Sequence, residues 1–324
     1  MTITSNVIPN AIPALSVIIA VYNDWLPLEQ CLHSLSDQAA GPSFEVIVVD
    51  DGSEGAVPEF ILKWSRSFPL TVVGQIHAGI PAARNRGIKV SQGSLLLFVD
   101  SDCRLQAGCL ASLDAALTNN PMSSCFQLRL IGEISTLVGR AEDLRLKILQ
   151  DHLLQANGCI RYLNTSGFAI RRTRVNCEEG LFDATVLRGE DTLLLANLIQ
   201  GGDLPLFVST AVVQHAIPLT LMECLRKDAR SGRLEARAYN IIVARGVKIR
   251  VNYRERLAML VSMWRASGER SIGRPALLVL LVRQLVERAF SVAHSCRRGR
   301  PIRTTQSGNS STKGYARRSH DAKK

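Results

Sequence analysis

The chain has 324 residues, 46% of them hydrophobic and 21% charged, a composition that excludes a disordered or fibrous protein and allows a sizeable core. Eight cysteines with neither a Cys-x-x-Cys pair nor zinc-ligand spacing indicate reduced thiols in a cytoplasmic protein. The net charge of +11 is uneven. Residues 1–220 carry 15 Lys and Arg against 21 Asp and Glu (net −6), and residues 221–324 carry 24 against 7 (net +17).

Neither a secretory signal nor a membrane-spanning segment is expected. Residues 1–14 lack the basic region that precedes the apolar core of a signal peptide. The longest apolar candidate, residues 275–286, is interrupted by Arg283 and Gln284, and a spanning helix needs about 20 apolar residues.

Strands and helices alternate over the first hundred residues. Short apolar runs predict strands and helical spacing of apolar residues predicts helices, with Pro81 acceptable in a first turn. The predicted strands are 15–21, 44–49, 70–73 and 95–99, and the predicted helices are 26–36, 57–64 and 80–90. This alternation predicts βαβ units, and hence an α/β fold with a mainly parallel sheet flanked by helices.

The rest of the chain changes from mixed to helical. Beyond residue 100 the pattern predicts helices at 107–117, 137–155 and 190–201 and strands at 126–131, 167–170 and 207–213; past residue 220 it predicts helices, including 254–265 and 275–295. We therefore expect four parts: an N-terminal segment (1–14), an α/β domain (15–235), a helical, basic C-terminal extension (236–296) and a basic disordered tail (297–324).

Carboxylates follow two of the predicted strands. Asp100 and Asp102 come at the end of the apolar run 95–99, and Asp50 and Asp51 end the run 44–49. Open α/β sheets bind ligands at the carboxyl ends of parallel strands, and one or two carboxylates with substrate phosphates suit Mg²⁺ or Mn²⁺. The structural alternatives are a helix N-cap for Asp102 and a turn at Asp50–Asp51.

Three further side chains are candidates for chemistry. Arg84 has the fork geometry that matches a phosphate, but a basic residue on a helix is by default solvent-exposed. Asp191 opens the helix predicted at 190–201 and is either its cap or a general base. His215 follows the strand predicted at 207–213 and either ligates a metal, contacts phosphate, or is structural.

Six segments in this order resemble the family 2 glycosyltransferases with the GT-A fold. The resemblance extends over about residues 15–235, and its strength comes from the order of the segments, because each one alone is a weak motif. The six segments are Ser16–Asn23, Val48–Ser53, Ala83–Gly87, Phe98–Asp102, Gly180–Asp183 and Gly189–Asp191.

The resemblance implies an inverting transfer of a sugar from a nucleoside-diphosphate-sugar to a hydroxyl acceptor, such as a lipid-linked or polysaccharide precursor. It implies Asp191 as the catalytic base and Mn²⁺ or Mg²⁺ bound by Asp102, with His215 near the metal. A basic loop at 227–232 would close over the diphosphate, and 164–168 would lie on the acceptor side. The implied donor-binding residues are Val21, Tyr22, Asn23, Asp50, Asp51, Arg84 and Asp100.

The sequence departs from the family pattern in two places. His77-Ala78-Gly79 stands where members often have a Gly- and Asn-rich turn, and the Gln-x-x-Arg-Trp motif of processive synthases is absent, which favours addition of a single sugar.

A sugar-phosphate nucleotidyltransferase is the second enzyme hypothesis. That class has a Gly-rich basic loop after its first strand, where this chain has Tyr22–Trp25.

The basic C-terminal third has its own alternatives. Basic amphipathic helices bind anionic membrane surfaces, which predicts peripheral attachment at the inner face of the cell membrane. A non-catalytic membrane-surface scaffold on the same fold is the alternative to an enzyme, and arginines that merely coat solvent-facing helices are the structural alternative. No nucleic-acid partner is expected, because the tail has no interleaved aromatic residues.

Overall fold

The computed structural model describes residues 2–4, 12–38, 40–216, 220–244, 251–268 and 273–298. Apolar runs with high β-propensity form its strands, most of them buried on both faces. The strands are β1 (Thr2–Thr4), β2 (Leu15–Val21), β3 (Phe44–Asp50), β4 (Leu70–Gly74), β5 (Leu95–Asp100), β6 (Cys103–Leu105), β7 (Cys125–Gly132), β8 (Phe168–Arg171) and β9 (Leu206–His215).

Helices connect most of these strands and form the C-terminal part of the described chain. They are α1 (Trp25–Ser36), α2 (Glu59–Leu62, continued by a 3-10 turn at Lys63–Arg66), α3 (Ile80–Val90), α4 (Cys109–Asn119), α5 (Leu137–Leu153), α6 (Glu190–Gln200), α7 (Leu221–Ala244), α8 (Tyr253–Ala266) and α9 (Arg274–Arg298). None of the described helices is long and apolar enough to span a bilayer.

One sheet contains all nine described strands, in the order β1-β4-β3-β2-β5-β8-β7-β9-β6. The predicted parallel arrangement is confirmed for β4, β3, β2 and β5, which carry the acidic strand ends. Beyond β5 the sheet is mixed: β8 pairs antiparallel with β5 and β7, and only β7 and β9 are parallel. The prediction of a mainly parallel sheet therefore holds for the half that positions the candidate nucleotide site.

Alternating side chains of the parallel strands pack into two apolar layers. Val17 and Ile19 of β2 belong to the cluster that includes residues of α1 and α4, whereas Ile18 packs with residues of α3 and α6. The sheet is thus covered on both faces, as parallel sheets require. Both layers hold the carboxyl ends of β2, β3 and β5 rigidly at one edge.

Predicted elements agree with the structure where the apolar pattern is long. The helix at 80–90 and the strand at 15–21 are confirmed at the predicted residues. The helix predicted at 107–117 begins two residues later, because Gly108 adopts a left-handed conformation (φ 74°) and is the N-cap. The strands β1 and β6 were not predicted, since three residues are too few for a periodic pattern.

The predicted basic loop at 227–232 is wrong, because these residues lie inside the helix α7. Buried Cys224 and Asp228 are spaced as one face of a helix, and that face packs against neighbouring helices. The helix α7 also continues without a break through residue 235, the predicted domain boundary. The predicted tail (297–324) lies outside the described residues except for its first two, which end α9.

Gly232 lets α7 and α9 approach closely. A Cβ atom at this position would lie 2.2 Å from the carbonyl oxygen of Glu287 in α9. Gly232→Ala is therefore expected to lower the free energy of unfolding by about 1–3 kcal/mol through overpacking. The measurement is the urea midpoint at unchanged m-value.

Gly201→Ala is the matched control for this prediction. At Gly201 the nearest atom that an added Cβ would meet is 3.5 Å away, an ordinary contact distance. We expect its change in stability to stay within about 0.5 kcal/mol. Equal losses in the two variants would contradict the close helix contact.

Candidate functional site

The acidic strand ends meet at one edge of the sheet. In the pairing register of β2 with its neighbours, Val21 lies opposite Asp50 and Ala20 opposite Asp100. Two further carboxylates lie at the same edge of the sheet: Asp24, which follows β2, and Asp102, which follows β5. Parallel register therefore gathers carboxylates that are far apart in sequence.

A cavity of about 430 Å³ opens at this edge. Its walls come from the sheet edge, from the start of α6 and from the helices α5, α7 and α9. The predicted residues that line it are Arg84, Asp100, Asp102, Asp191 and His215; other lining side chains include Asp24, Glu142, Arg145, Tyr162, Thr165, Ser166, Arg188, Glu190, Lys227, Asp228, Arg283 and Glu287.

Arg84 joins the carboxylates on two sides of the cavity. Its Nη2 donates to Asp100 Oδ1 at 2.7 Å, and its Nη1 donates to Glu190 Oε1 at 3.0 Å. Asp191 Oδ1 lies 3.9 Å from the same Nη1. The guanidinium is also 5.5 Å from the centre of the Phe182 ring. One buried cation thus holds the end of β5 and the first turn of α6 together.

These partners differ from the predicted role of Arg84 at a phosphate. The residue is 3% exposed, so the structural alternative of a solvent-facing helical arginine is wrong. Both terminal nitrogens bind carboxylates, because β5 and α6 deliver Asp100 and Glu190 to the buried face of α3. Arg84 therefore positions carboxylates in this structure, and a phosphate would have to compete with them.

Asp191 lies in the first turn of α6, where the helix dipole favours a carboxylate. It is not the cap: the N-cap is Gly189, which takes a left-handed conformation (φ 80°). Thr165 Oγ1 donates to Asp191 Oδ1 at 2.8 Å. Burial and the neighbouring Glu190 carboxylate raise the pKa of Asp191 to about 7. A carboxylate with this pKa is suited to proton transfer near neutral pH.

Asp100 is held from both sides. While its Oδ1 accepts from Arg84, its Oδ2 accepts from Ser166 Oγ at 2.6 Å. Thr165 and Ser166 come from the turn before β8, within the segment predicted to lie on the acceptor side. This turn therefore fixes two carboxylates, Asp100 and Asp191, from adjacent positions.

Asp102 and His215 form a pair at the end of β9. The short strand β6 places Cys103 directly opposite His215, so His215 Nε2 comes 3.3 Å from Asp102 Oδ2. Burial opposes protonation of the imidazole, but the carboxylates of Asp102, Glu142 and Asp100 together outweigh burial and raise the pKa of His215. A strand, not a helix, follows Asp102, so the helix-cap alternative for this residue is wrong.

The residues around this pair fit a divalent cation. A carboxylate oxygen and an imidazole nitrogen lie within 4.8 Å of each other and of the Cys103 thiol. Burial raises the pKa of Cys103, which leaves it a thiol and a poor ligand. Burial and the charge of Asp102 also raise the pKa of Asp24. The cavity floor therefore carries negative charge that a cation would neutralise.

The remaining predicted residues lie beside the cavity and do not line it. The Tyr22 and His77 rings contact each other in a tilted arrangement (32° between their planes) with centroids 4.3 Å apart, and both side chains are exposed. Asn23, in a left-handed conformation (φ 56°), accepts through Oδ1 from the backbone N–H of Glu54 at 2.8 Å. Val21 is buried and offers only its backbone. We call the rings of Tyr22 and His77 the aromatic shelf.

Asp50 and Asp51 organise the loops around this shelf. Asp50 Oδ1 accepts from the backbone N–H of Ser53 at 2.8 Å. Asp51 is 3% exposed, and its carboxylate accepts from Gln75 Nε2 at 2.7 Å and from the backbone N–H groups of Ala78 and Gly79 at 2.9 and 2.8 Å. Asp51 thus fixes the turn His77-Ala78-Gly79, which departs from the family pattern. The resemblance implied that Asp51 binds the donor, but in the structure its carboxylate binds the backbone of this turn.

Two of the motifs found in the sequence contact each other. Asn85 Nδ2 donates to the carbonyl of Phe182 at 2.7 Å, and Asn85 Oδ1 accepts from the N–H groups of Leu181 and Phe182. Gly180 (φ 84°) permits this contact, since a Cβ there would lie 2.4 Å from Asn85 Cγ. The pairing holds α3 and the segment before α6 together, on the side where Arg84 binds Glu190.

Sequence analysis missed the wall formed by the C-terminal helices. Arg283 of α9 donates to Asp228 of α7 at 2.8 and 3.0 Å and lies 3.4 Å from Glu142 of α5. Arg145 Nε donates to Glu142 at 3.0 Å. The predicted extension therefore builds part of the cavity. No local signal could have revealed this, because the partners are 55 to 141 residues apart.

Two other missed residues had a readable signal. Asp24 comes three residues after the apolar strand β2, and Asp50 and Asp100 are the last residues of β3 and β5, so the same argument from strand ends applies to it. Glu190 adjoins Asp191 in the recognised segment, yet the pair differ: Glu190 is buried against Arg84, and Asp191 remains a quarter exposed to the cavity.

The first half of the chain is similar to known proteins. The family model described as Glycosyl transferase family 2 matches residues 16–177, half of the chain. The putative glycosyltransferase EpsH of Bacillus subtilis (strain 168) is 36% identical over 91 residues, 28% of this chain and 26% of that protein. The glycosyltransferase AglE of Haloferax volcanii is 36% identical over 97 residues, 29% and 32% of the two chains. The matched part thus spans only a quarter to a third of these relatives.

Solved structures resemble nearly the whole chain. The mannosyltransferase PcManGT from Pyrobaculum calidifontis, in complex with GDP-Man and Mn2+, has a TM-score of 0.59 and 16% identity, covering 89% of this chain and 88% of that one. The S. aureus TarS 1-349 in complex with UDP has a TM-score of 0.52 and 20% identity, covering 89% and 93%. At these identities the likeness establishes the fold.

Proposed function

This chain belongs to glycosyl transferase family 2 and has the GT-A fold, and from that premise we propose that it transfers a sugar from a nucleoside-diphosphate-sugar to a hydroxyl acceptor with inversion. One observation carries the proposal. A single cavity joins the Asp102–His215 pair at the sheet edge to Asp191 at the start of α6, through the buried cation Arg84.

Asp191 is the proposed general base. As a carboxylate it takes the proton of the acceptor hydroxyl while that oxygen attacks the anomeric carbon, and the bond from this carbon to the diphosphate breaks. Attack opposite the leaving group inverts the anomeric centre. The hydrogen bond from Thr165 orients the carboxylate, and burial brings its pKa to about 7, within the working range of a base.

Asp102 and His215 are the proposed holders of Mn²⁺ or Mg²⁺. When bound, the cation would offset the charge that develops on the diphosphate leaving group. An imidazole beside a carboxylate favours Mn²⁺, since Mg²⁺ prefers oxygen ligands. The complex of the mannosyltransferase neighbour with GDP-Man and Mn2+ supports a divalent cation here.

Asp100, Lys227 and Arg188 complete the proposed donor site. Asp100 keeps a third of its side chain exposed, so its lone pairs can still accept from a ribose hydroxyl. With Arg84 occupied by carboxylates, Lys227 and Arg188 are the cavity cations proposed to contact the diphosphate. Arg84 is a positioning residue that aligns Asp100 with the first turn of α6.

The aromatic shelf is the proposed binding surface for the nucleobase of the donor. Tyr22 and His77 have exposed rings on which the nucleobase can stack. Val21 and Asn23 border the shelf, and Asp50 and Asp51 fix the loops that support it. The proposed acceptor is a hydroxyl of a lipid-linked or polysaccharide precursor, met in the cytoplasm at the inner face of the membrane.

A donor screen tests this function. The full chain is heated with Mn²⁺ and each of several UDP-, GDP- and TDP-sugars, and the shift in melting temperature identifies the nucleotide that binds. Release of nucleoside diphosphate is then followed with hydroxyl acceptors, and the product's anomeric configuration is read by NMR. Absence of any nucleotide-dependent shift, or a retained configuration, would contradict the proposal.

Asp191 makes the reaction sensitive to pH. Only its carboxylate form accepts a proton, and its pKa is raised from 3.8 to about 7, so kcat/KM is expected to rise with pH through an apparent pKa near 7. Glu190→Gln removes a neighbouring negative charge and lowers the pKa of Asp191. The acid limb of the kcat/KM–pH profile of Glu190→Gln should therefore lie at lower pH than that of the wild type.

Glu179→Gln, at an exposed carboxylate, is the control for this pH shift. Its profile should coincide with that of the wild type. An acid limb that stays in place or moves to higher pH in Glu190→Gln would argue against Asp191 as the titrating base.

A further inference from the structure

The helix α8 has apolar residues on its outer side as well as its inner side. Met259, Met263 and Ala266 are buried against α5 and α9. At about 100° per residue, a second apolar set falls on the opposite side, and all its members are exposed. This set consists of Tyr253, Leu257, Leu260, Val261 and Trp264. Trp264 is 60% exposed, an unusual position for so large an apolar side chain.

The helix α9 also exposes apolar residues. Leu278, Val282 and Leu285 are exposed at helical spacing, and Leu285 is 66% exposed. Arg274, at the start of α9, joins the helices: its guanidinium lies 3.7 Å from the centre of the Trp264 ring and donates to Ser267 Oγ at 2.9 Å. We call these eight apolar residues of α8 and α9 the outer face.

Within the described residues of α8 and α9, basic residues flank the outer face, and the two acidic residues lie away from it. Around α8, Arg256 lies on one side of the apolar stripe, and Arg254 and Arg265 lie on the other; all three are exposed. The acidic residue of α8, Glu255, binds Arg161 and the N-cap of its own helix. That of α9, Glu287, lines the cavity. The rim is therefore positively charged.

We propose that the outer face docks the protein on an anionic bilayer surface. A stripe of Leu, Val, Tyr and Trp with arginines on both sides is the pattern of helices that lie in the membrane interface. A second copy of the chain fits less well, because a two-fold contact between two outer faces would bring arginine rims together. Lipid phosphates are the complementary partner for these arginines.

The position of α9 connects this surface with the cavity. The helix presents Leu278, Val282 and Leu285 outward, while Leu280, Arg283 and Glu287 of the same helix line the cavity. The docked bilayer and the cavity would thus lie on opposite sides of α9, about 10–12 Å apart, a distance that the head group of a lipid-linked acceptor would span to bring its hydroxyl to the cavity. Access of a lipid hydroxyl to the cavity, which rests on the proposed function, would make the acceptor lipid-linked. Docking on the bilayer does not depend on catalysis.

Vesicle binding tests the docking without donor or acceptor. The full chain is sedimented with vesicles of phosphatidylcholine containing about a third phosphatidylglycerol, and with phosphatidylcholine alone. We expect binding to the anionic vesicles, reduced at least tenfold by Leu257→Glu with Leu285→Glu and weakened by Arg254→Gln with Arg256→Gln. Met122→Glu, at a 93% exposed apolar residue outside both helices, is the control and should bind as the wild type does.

Each of the other outcomes overturns the proposal. Equal binding by the wild type and the double glutamate variant would assign attachment to another part of the chain. A dimer in sedimentation velocity that the same variant dissociates, with no vesicle binding, would make the outer face a contact between copies. Donor-induced thermal shifts, measured on every variant, report separately on the nucleotide site, so failure of docking and failure of the proposed function can be told apart.

Discussion

Asp191→Asn is expected to lower the rate of sugar transfer by about 10²–10⁴-fold, because an amide cannot accept the proton of the acceptor hydroxyl. The substitution keeps the size of the side chain, and the amide oxygen can still accept from Thr165. Glu190 continues to hold Arg84, so Asp100 stays in place. Donor affinity should therefore remain within a few-fold of the wild-type value.

The measurement is single-turnover transfer together with donor affinity by calorimetry. Asp114→Asn, at an exposed carboxylate of α4, is the matched control and should leave both unchanged. Wild-type transfer by Asp191→Asn would remove this residue from the mechanism. A parallel loss of donor binding would instead mean that the first turn of α6 had been disturbed.

Asp102→Asn is expected to lower metal-dependent transfer about a hundredfold and to weaken Mn²⁺ binding. A loss of about 3 kcal/mol of transition-state stabilisation corresponds to roughly a hundredfold in rate. Chelation of divalent ions should reduce the wild type to a similar level, and added Mn²⁺ should restore it. His215→Asn leaves the carboxylate in place, and we expect a smaller loss of Mn²⁺ affinity from it.

Mn²⁺ binding is followed by electron paramagnetic resonance with the nucleotide diphosphate present, a measurement that does not require transfer. Asp37→Asn, at an exposed carboxylate paired with His33, is the control. If Asp102→Asn bound Mn²⁺ as tightly as the wild type did, the metal site would have to lie elsewhere. Undiminished transfer after chelation would show that the reaction needs no divalent ion.

The alternatives to a glycosyltransferase find less support. Against a non-catalytic scaffold stands Asp191, whose pKa burial and the Glu190 carboxylate raise to about 7 beside a buried arginine, a combination that is typical of catalytic sites. For a sugar-phosphate nucleotidyltransferase, the segment after β2 would have to be a Gly-rich phosphate loop. Here it carries the exposed ring of Tyr22 and the left-handed Asn23. Membrane docking through the outer face is compatible with an active enzyme.

The sequence by itself determined the half of the site that depends on strand ends. The runs that end at Asp50 and Asp100 are too apolar to be anything but buried strands, and parallel alternation brings their carboxyl ends to one edge. Order along the chain then identified Asp191 as the remaining carboxylate of the family pattern. These inferences need only local patterns and the general geometry of βαβ units.

Tertiary structure alone decided which groups these carboxylates meet. Arg84 was predicted to face a phosphate, yet it binds Asp100 and Glu190, which are 16 and 106 residues away. Asp102 reaches His215 only because the three-residue strand β6 pairs with the end of β9. The cavity wall formed by α5, α7 and α9 likewise depends on Arg283 and its distant partners. Local propensity contains no information on such pairings, since they arise when separate faces pack and buried charges must find partners.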